Sequence, residues 1–264
     1  KAIFLSLCSI WIEDCKIPLN TLVSSESSSG KSYICKNIIE IFPKGLVQYR
    51  TKITPEAFTY WHNGEFGWTW EGKICSLEDI SQQLLDSTTF KVMCSEGSTS
   101  TVVIRQKAVD INIKGKPMFL ITTAQTNPQT EILNRFQIVS LDESKEQTER
   151  IIDREAEIAE TGFRDEYSPY VTKAFELLKR RKVKIPYIKK VVKSLKEKHQ
   201  FDSLRFRRDF SRLLNLVKCS TVLHQYQREE ENENIIANEQ DYEIARECIN
   251  YIQAQTSKGL THKL

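Results

Sequence analysis

Residues 25–32 (SESSSGKS) constrain the fold more than any other segment of this chain. Gly30, Lys31 and Ser32 match the end of the phosphate-binding pattern G-x-x-x-x-G-K-[ST], and Ser25 stands at its first glycine. In such a loop, backbone N–H groups and a helix N-terminus surround phosphate oxygens. The lysine reaches the β- and γ-phosphates, and the Ser32 hydroxyl ligates Mg²⁺. The alternative is a serine-rich turn that caps a helix.

The sequence on both sides of this loop favours nucleotide binding. Residues 21–23 form a short apolar run typical of a buried strand. Apolar residues then recur at helical spacing over residues 33–42, until Pro43 ends the run. A strand, a loop and a helix in this order are the context that the pattern requires. We therefore predict that ATP and Mg²⁺ bind here, with the cofactor contacted by Ser27, Ser28, Ser29, Gly30, Lys31, Ser32 and Tyr33.

Glu78 and Asp79 follow a short predicted strand, residues 74–77. A phosphate loop works with carboxylates at the end of a neighbouring strand, one holding Mg²⁺ through water and one polarising the attacking water. We predict Glu78 as a metal ligand together with Ser32, and both carboxylates as catalytic. The alternative is an acidic helix N-terminus, where Asp and Glu are favoured.

Thr123 and Arg135 complete the predicted catalytic set, which begins with Lys31. Residues 119–123 form an apolar strand that ends in hydroxyls, so Thr123 is placed to orient water or contact the γ-phosphate. Arg135 follows twelve residues later, and a guanidinium supplied across a subunit interface stabilises transition-state charge. The alternatives are an ordinary strand end and a surface arginine in a weak salt bridge.

Charge is distributed very unevenly along the chain, although the net charge is only +3. Residues 142–166 hold ten acidic and four basic residues, and residues 173–208 hold fourteen basic and three acidic ones. A basic block of this density suits a polyanion, and the alternative is a solvated helix surface. Beyond residue 165 the pattern is mostly helical, with predicted helices over residues 169–181, 186–198, 207–226 and 241–255 and a polar loop over 229–239.

Length and composition limit the other possibilities. A chain of 264 residues with 40% hydrophobic and 28% charged residues suits one or two soluble globular domains. Gly162 and Pro169 place a boundary near residue 165, separating a P-loop ATPase domain (1–164) from a helical domain (165–264). No apolar run reaches the ~18–20 residues needed to span a bilayer. Because the chain begins with Lys1, we expect a fragment of a longer protein.

Seven cysteines without a C-x-x-C pair argue against a disulfide framework or a zinc site. Most of them lie among apolar neighbours, as small buried thiols do. A reducing, cytoplasmic setting, or a host cell interior for a viral or plasmid protein, is therefore expected.

The order of these motifs resembles the AAA+-like ATPase core of superfamily 3 and minichromosome-maintenance helicases. More closely, it resembles the helicase region found beside primase modules in replication proteins of phages, plasmids and archaea. The resemblance covers about residues 20–250. The segments that carry it are SSSGKSY (27–33), LED (77–79), SEG (95–97), LITT (120–123), NRF (134–136), LDES (141–144), IPY (185–187), RRDF (207–210) and LHQYQR (223–228).

The resemblance implies an α/β P-loop core with a parallel sheet, followed by a winged-helix-like domain with a wing near residues 235–236. It implies an ATP-dependent DNA helicase or translocase, usually hexameric, with DNA as a partner and an upstream primase module as a second one. A hairpin over residues 100–115 and the basic tail would then contact DNA phosphates. The alternative for the hairpin is an ordinary sheet edge, and the alternative for the tail is a solvated helix surface. The DNA-binding residues predicted on this basis are Arg105, Lys107, Lys189, Lys190, Arg207 and Arg208.

Two other functions remain open from the sequence. Ser25 in place of glycine suggests a weakened ATPase, or a DNA-binding module whose nucleotide site serves assembly only. A P-loop phosphotransferase for a small molecule would explain Lys31 and Ser32, but not the basic tail or the hairpin.

Overall fold

A five-stranded parallel sheet organises the first two thirds of the chain, in the order β2-β3-β6-β1-β7. The computed structural model describes residues 1–13, 15–25, 29–61, 68–95, 98–104, 106–123, 134–163, 169–197 and 204–261. A separate antiparallel hairpin is formed by β4 and β5. The strands are β1 (Thr21–Ser24), β2 (Val47–Arg50), β3 (Ile74–Leu77), β4 (Ser98–Ile104), β5 (Lys107–Ile113), β6 (Met118–Thr123) and β7 (Gln137–Val139).

Helices cover both faces of the sheet, which is why β1, β3 and β6 are buried along their whole length. A short 3₁₀ helix, Cys8–Trp11, follows α1. The helices are α1 (Ala2–Leu7), α2 (Lys31–Glu40), α3 (Ala57–Tyr60), α4 (Gln82–Asp86), α5 (Thr88–Met93), α6 (Lys145–Thr161), α7 (Pro169–Glu176), α8 (Ile188–Glu197), α9 (Leu204–Leu223) and α10 (Glu239–Thr261).

The C-terminal third adds a small sheet to α7–α10. Its strands β8 (Lys182–Lys184), β9 (Glu230–Glu231) and β10 (Asn234–Ile236) lie in the order β8-β10-β9. β8 pairs with β10 in parallel, and β9 and β10 form a tight hairpin whose turn residues, Asn232 and Glu233, have positive φ.

The larger hydrophobic cluster joins the N-terminal segment to the C-terminal helices. Trp11 stacks on Phe42 with ring centroids 5.4 Å apart, and Phe175 of α7 meets Phe42 edge-on at 5.3 Å. Leu216 and Val222 of α9 belong to the same cluster. Residues from both sides of the predicted boundary at 164/165 therefore share one core, and the two-domain division stays a prediction.

Asn20 fixes the amino ends of three strands relative to each other. Its Oδ1 accepts a hydrogen bond from the Phe119 N–H at 3.0 Å, and its carbonyl accepts one from the Gln137 N–H at 2.7 Å. Its Nδ2 donates to the Cys94 carbonyl at 3.0 Å. Because Asn20 is fully buried, these bonds set the register of β6 and β7 beside β1.

Several sequence predictions of local structure were wrong. The apolar stretches of residues 1–20 predict a helix that ends near Pro18, but α1 stops at Leu7, the 3₁₀ helix ends at Trp11 and Ile12 is extended. The predicted loop over 229–239 contains β9 and β10, where Glu230 and Glu231 pair with Arg181 and Lys184 at the basic β8 strand. Charged strand residues of this kind have no alternating apolar pattern, so periodicity misses them.

Asp241 organises the start of α10 from a fully buried position. Its carboxylate accepts hydrogen bonds from Nε and Nη2 of Arg228 at 2.9 and 2.8 Å, and from Ser220 Oγ at 2.6 Å. It also accepts the Asn238 N–H at 3.0 Å, and Asn238 Oδ1 accepts the Asp241 N–H at 3.2 Å, which is a reciprocal helix cap. Burial acts to raise the pKa of Asp241, but these hydrogen bonds outweigh it and hold the pKa below its ordinary value.

Stability is therefore expected to fall in acid through Asp241. The unfolded carboxyl takes up a proton near pH ~4 and the folded one at lower pH, so its contribution is full above that pH and is lost below it. We expect a smaller loss of unfolding free energy between about pH 5 and about pH 3 in Asp241→Asn than in the unchanged protein. Urea unfolding at both pH values measures this, and equal losses would contradict it.

Candidate nucleotide site

The phosphate loop lies between β1 and α2, at the carboxyl edge of the sheet. Gly30 is the N-cap of α2 and has φ +82°, a left-handed conformation that side-chain-bearing residues rarely adopt. Because glycine has no side chain, Gly30 does not cap the first-turn N–H groups of this ten-residue helix. This is the arrangement that binds phosphate at helix N-termini.

Lys31 turns back over the loop that precedes it. Its Nζ donates to the Ser25 carbonyl at 2.7 Å and lies 3.4 Å from Ser29 Oγ. Ser32 and Tyr33 are exposed at the start of α2. The structure thus brings Ser29, Gly30, Lys31 and Ser32 together around one loop, and the predicted contacts Ser27 and Ser28 lie outside the described residues.

Ser25 uses its side chain where a glycine would have none. Its Oγ accepts a hydrogen bond from the Leu141 N–H at 2.8 Å, and the residue is buried. Leu141 follows β7, so this bond ties the loop to the neighbouring strand. The departure from the glycine pattern therefore has a structural role in this chain.

Restoring the common pattern with Ser25→Gly is expected to destabilise the protein by about 1–3 kcal/mol. The change leaves the part-buried Leu141 N–H without its acceptor and adds chain entropy to the unfolded state. Thermal or urea unfolding measures the change, and Ser29→Gly in the same loop serves as the control. A Ser25→Gly protein as stable as the unchanged one would contradict this role.

Glu78 lies on the α2 side of the sheet, directly after β3. Its Oε1 is 3.3 Å from Nζ of Lys36, and the Lys36 ammonium lies 5.5 Å from the centre of the Tyr49 ring. The Tyr49 hydroxyl and then the Glu78 carboxylate raise the pKa of Lys36. Burial, followed by the nearby Glu78, raises the pKa of Tyr49. The Glu78 side chain is only 14% exposed, so its charge is balanced locally by Lys36.

Asp79 has φ +42°, a conformation that aspartate tolerates better than most residues. Its N–H donates to Thr122 Oγ1 at 3.0 Å, and Ile80 N–H lies 3.4 Å from the Thr122 carbonyl. Thr123 is buried at the end of β6, in register with Ser24 of β1. Because β6 lies between β1 and β3, the two threonines stand between the phosphate loop and the carboxylates.

The family described as the MTBMA_p00010 P-loop domain matches residues 2–181 of the chain. The chain belongs to this family. The match and the parallel sheet together confirm a P-loop NTPase core and nucleotide binding as its general property. No curated protein matches the sequence.

Sequence reasoning missed two residues of the P-loop site, Lys36 and Tyr49. Lys36 follows Ser32 by four residues, which places both on one face of α2, so its position was available from helical spacing. Tyr49 lies on β2, a half-exposed edge strand that the sequence did not predict.

Arg135 lies at the other edge of the sheet, just before β7 begins. Its Nη1 donates to the Lys91 carbonyl at 2.8 Å and to Ser95 Oγ. Within one chain, the phosphate loop and the Arg135 guanidinium thus lie at opposite ends of the strands of the parallel sheet. A role for Arg135 at the phosphates needs a second copy of the P-loop domain and stays a prediction.

The predicted DNA contacts lie on three exposed parts of the surface. Lys107 begins β5 at the distal end of the hairpin, and Arg105 lies outside the described residues. Lys189 and Lys190 are exposed on α8, and Arg207 and Arg208 are exposed near the start of α9.

Three further properties of the described residues concern metal-binding clusters, the cysteines and membrane-spanning helices. In the described part of the chain, no group of three or more His, Cys, Asp or Glu side chains is placed to hold a metal ion. All seven cysteines are free thiols and six are buried. Within those same ranges, none of the helices has the length and apolar character required to cross a bilayer.

Proposed function

We propose that this P-loop domain is the ATP-hydrolysing motor of a DNA helicase or translocase that acts in replication as a ring of identical subunits. The observation that carries the proposal is one sheet edge where three features meet. These are a phosphate loop, the Glu78–Asp79 pair and the hydroxyl-bearing end of β6. Such a set can bind phosphates, hold a divalent ion and orient a water molecule.

The residues present fit Mg²⁺ and ATP. The first-turn N–H groups of α2 and the Lys31 ammonium would bind the phosphates, once Lys31 exchanges the Ser25 carbonyl for a phosphate oxygen. Ser32 and Glu78 would hold Mg²⁺, which supplies neutralisation of phosphate charge. Thr122 fixes the backbone of Asp79, so that Asp79 projects from a defined position beyond β3.

The β4–β5 hairpin supports action on a polymer. Residues 107–110 are exposed, whereas Ile111 and Ile113 nearer the sheet are buried, so the distal half stands out from the core. Val103 at this end is 75% exposed. The hairpin is inserted between β3 and β6, the strands that carry the carboxylates and the threonines, which would couple its position to the nucleotide state.

The C-terminal third supports a winged-helix-like proposal through its order of elements. β8, α8, α9 and the β9–β10 hairpin follow one another, with the hairpin in the position of a wing. The hairpin is acidic, since Glu230, Glu231 and Glu233 lie on it. Phosphate contacts are therefore assigned to the basic residues of α8 and α9 and not to the hairpin.

The alternative is a DNA-binding module whose nucleotide site serves assembly. Two observations favour it: the Ser25 hydroxyl accepts a hydrogen bond from the Leu141 N–H, and the Glu78 carboxylate forms an ion pair with Lys36. Such a site would bind ATP but hydrolyse it slowly or not at all.

Phosphate release from Mg²⁺-ATP, with and without single-stranded DNA, separates the two functions. A motor is expected to hydrolyse ATP faster with DNA and to lose this activity in Lys31→Ala. Binding of ATP without hydrolysis under either condition would favour assembly. Hydrolysis unaffected by DNA, and equal in Lys31→Ala, would contradict both functions.

A further inference from the structure

A cavity of about 530 Å³ lies at the amino ends of β1, β6 and β7. Its wall includes Asn20, Ser95, Lys116, Arg135 and residues of α9. The phosphate loop is at the carboxyl ends of the same strands. As β6 alone has six residues at ~3.3 Å each, the two places are about 20 Å apart. The cavity is therefore separate from the nucleotide site of the same chain.

Five basic side chains of the described residues line this cavity. One of them, Arg212, pairs with Asp209 at 3.2 Å. Among the described residues, no carboxylate forms an ion pair with Lys116 or Arg208. The cations are Lys16, Lys116, Arg135, Arg208 and Arg212.

Neutral oxygens hold three of these cations in place. Lys116 Nζ donates to the carbonyls of Lys16 and Ser95 at 2.6 and 2.8 Å. Arg135 donates to the Lys91 carbonyl, and Arg212 donates to the Phe136 carbonyl at 2.8 Å in addition to its pair with Asp209. Carbonyl groups orient a cation but do not neutralise it, so Lys116 keeps its positive charge at the cavity.

We propose that this cavity binds a phosphate group, in a site distinct from the phosphate loop. Arg208 and Arg212 are four residues apart and both line the cavity from one face of α9. Guanidinium groups bind phosphate oxygens through paired N–H donors, and Lys116, just before β6, adds a third charge. The volume is in the range of small-ligand pockets, so a phosphate ester can enter with part of its substituent.

Pyrophosphate binding by the full chain tests the site, in a Lys31→Ala background that disables the phosphate loop. Arg208→Glu is expected to weaken binding at least tenfold, because a charge-assisted contact becomes a repulsive one. Arg246→Glu is the matched control: it makes the same charge change at an exposed arginine of α10, which does not line the cavity. We expect it to change the affinity by less than about twofold.

A second variant tests the contribution of Lys116 to pyrophosphate binding. Lys116→Gln removes a charge but keeps amide donors for the two carbonyls, and it is expected to weaken pyrophosphate binding severalfold. Equal effects of Arg246→Glu and Arg208→Glu would overturn the site in favour of general surface attraction. Absence of pyrophosphate binding in the Lys31→Ala protein would also overturn it.

Competition by oligothymidylate identifies the source of the phosphate. The oligonucleotide displaces pyrophosphate if the ligand is a nucleic-acid backbone. Arg208→Glu should then weaken the binding of both pyrophosphate and the oligonucleotide, and this result supports the site. If Arg208→Glu weakens pyrophosphate binding but the oligonucleotide does not displace pyrophosphate, the site is supported with a free phosphate compound as its ligand. Because ATP hydrolysis is measured with the phosphate loop intact, failure of this site and failure of the proposed motor are distinguishable.

Discussion

Replacing Glu78 with glutamine is expected to reduce ATP hydrolysis by about 10²- to 10⁴-fold, with nucleotide affinity within a few-fold of the unchanged protein. Glutamine has the size of glutamate but cannot neutralise a metal ion or attract a proton from water. The fold is expected to tolerate the change, because Lys36 is 48% exposed and water can solvate its ammonium once the partner charge is gone. Steady-state phosphate release and binding of a fluorescent ATP analogue measure the two quantities.

Glu40→Gln is the matched control for this prediction. Glu40 ends α2 on the exposed surface, so the same chemical change there removes a charge near the site without touching it. We expect hydrolysis within about twofold of the unchanged protein, since exposed charges contribute little. If Glu78→Gln hydrolysed ATP at a similar rate to Glu40→Gln, Glu78 would have no catalytic part and the assembly function would gain support.

Local chemistry made the centre of the sheet predictable from sequence. β1, β3 and β6 are short apolar runs. Each was predicted at its correct position, directly before the phosphate loop, the Glu78–Asp79 pair or the hydroxyl-bearing strand end. The hairpin was also predicted, because residues 101–104 and 109–113 are rich in β-branched residues, with charged residues between the two runs. These features depend on neighbours within a few residues, which is the information that a periodicity argument uses.

Contacts between distant segments were not predictable in the same way. Tyr49 reaches Glu78 only because β2 pairs in parallel with β3, and no pattern in β2 indicates that pairing. Ser25 was interpreted as a loss of glycine, whereas its bond to Leu141 joins residues 116 positions apart. Arg212 and Arg135 meet at one cavity through the packing of α9 on the sheet, which the basic composition alone could not show.

The largest loss of stability is expected from Arg228→Met. The change leaves the carboxylate of Asp241 buried with only the Ser220 hydroxyl and the Asn238 N–H as partners. Removing one partner of a buried ion pair costs about 3–5 kcal/mol, because the remaining charge has neither water nor a counter-ion. Urea unfolding followed by circular dichroism measures the loss. Lys184→Met, which removes the exposed pair with Glu231, is the control and should cost less than about 1 kcal/mol.

A second replacement separates the cost of an unpaired charge from the value of the pair. In Arg228→Met with Asp241→Leu, no buried charge remains, so a large part of the lost stability should return. A double variant as unstable as the sum of both single ones would show that Asp241 acts mainly through the helix cap with Asn238.

The consequences of Arg228→Met should extend to the phosphate loop. Helix α10 begins at the cap formed with Asp241, and further along it Tyr251 donates to the Ser140 carbonyl at 2.7 Å. The next residue, Leu141, donates to Ser25 at the loop entrance. Since α1, α9 and α10 also share one hydrophobic cluster with the sheet, loss of the α10 start should weaken ATP binding at urea concentrations that leave the Lys184→Met protein folded. Two separate unfolding transitions, with ATP binding lost only in the second, would contradict this coupling.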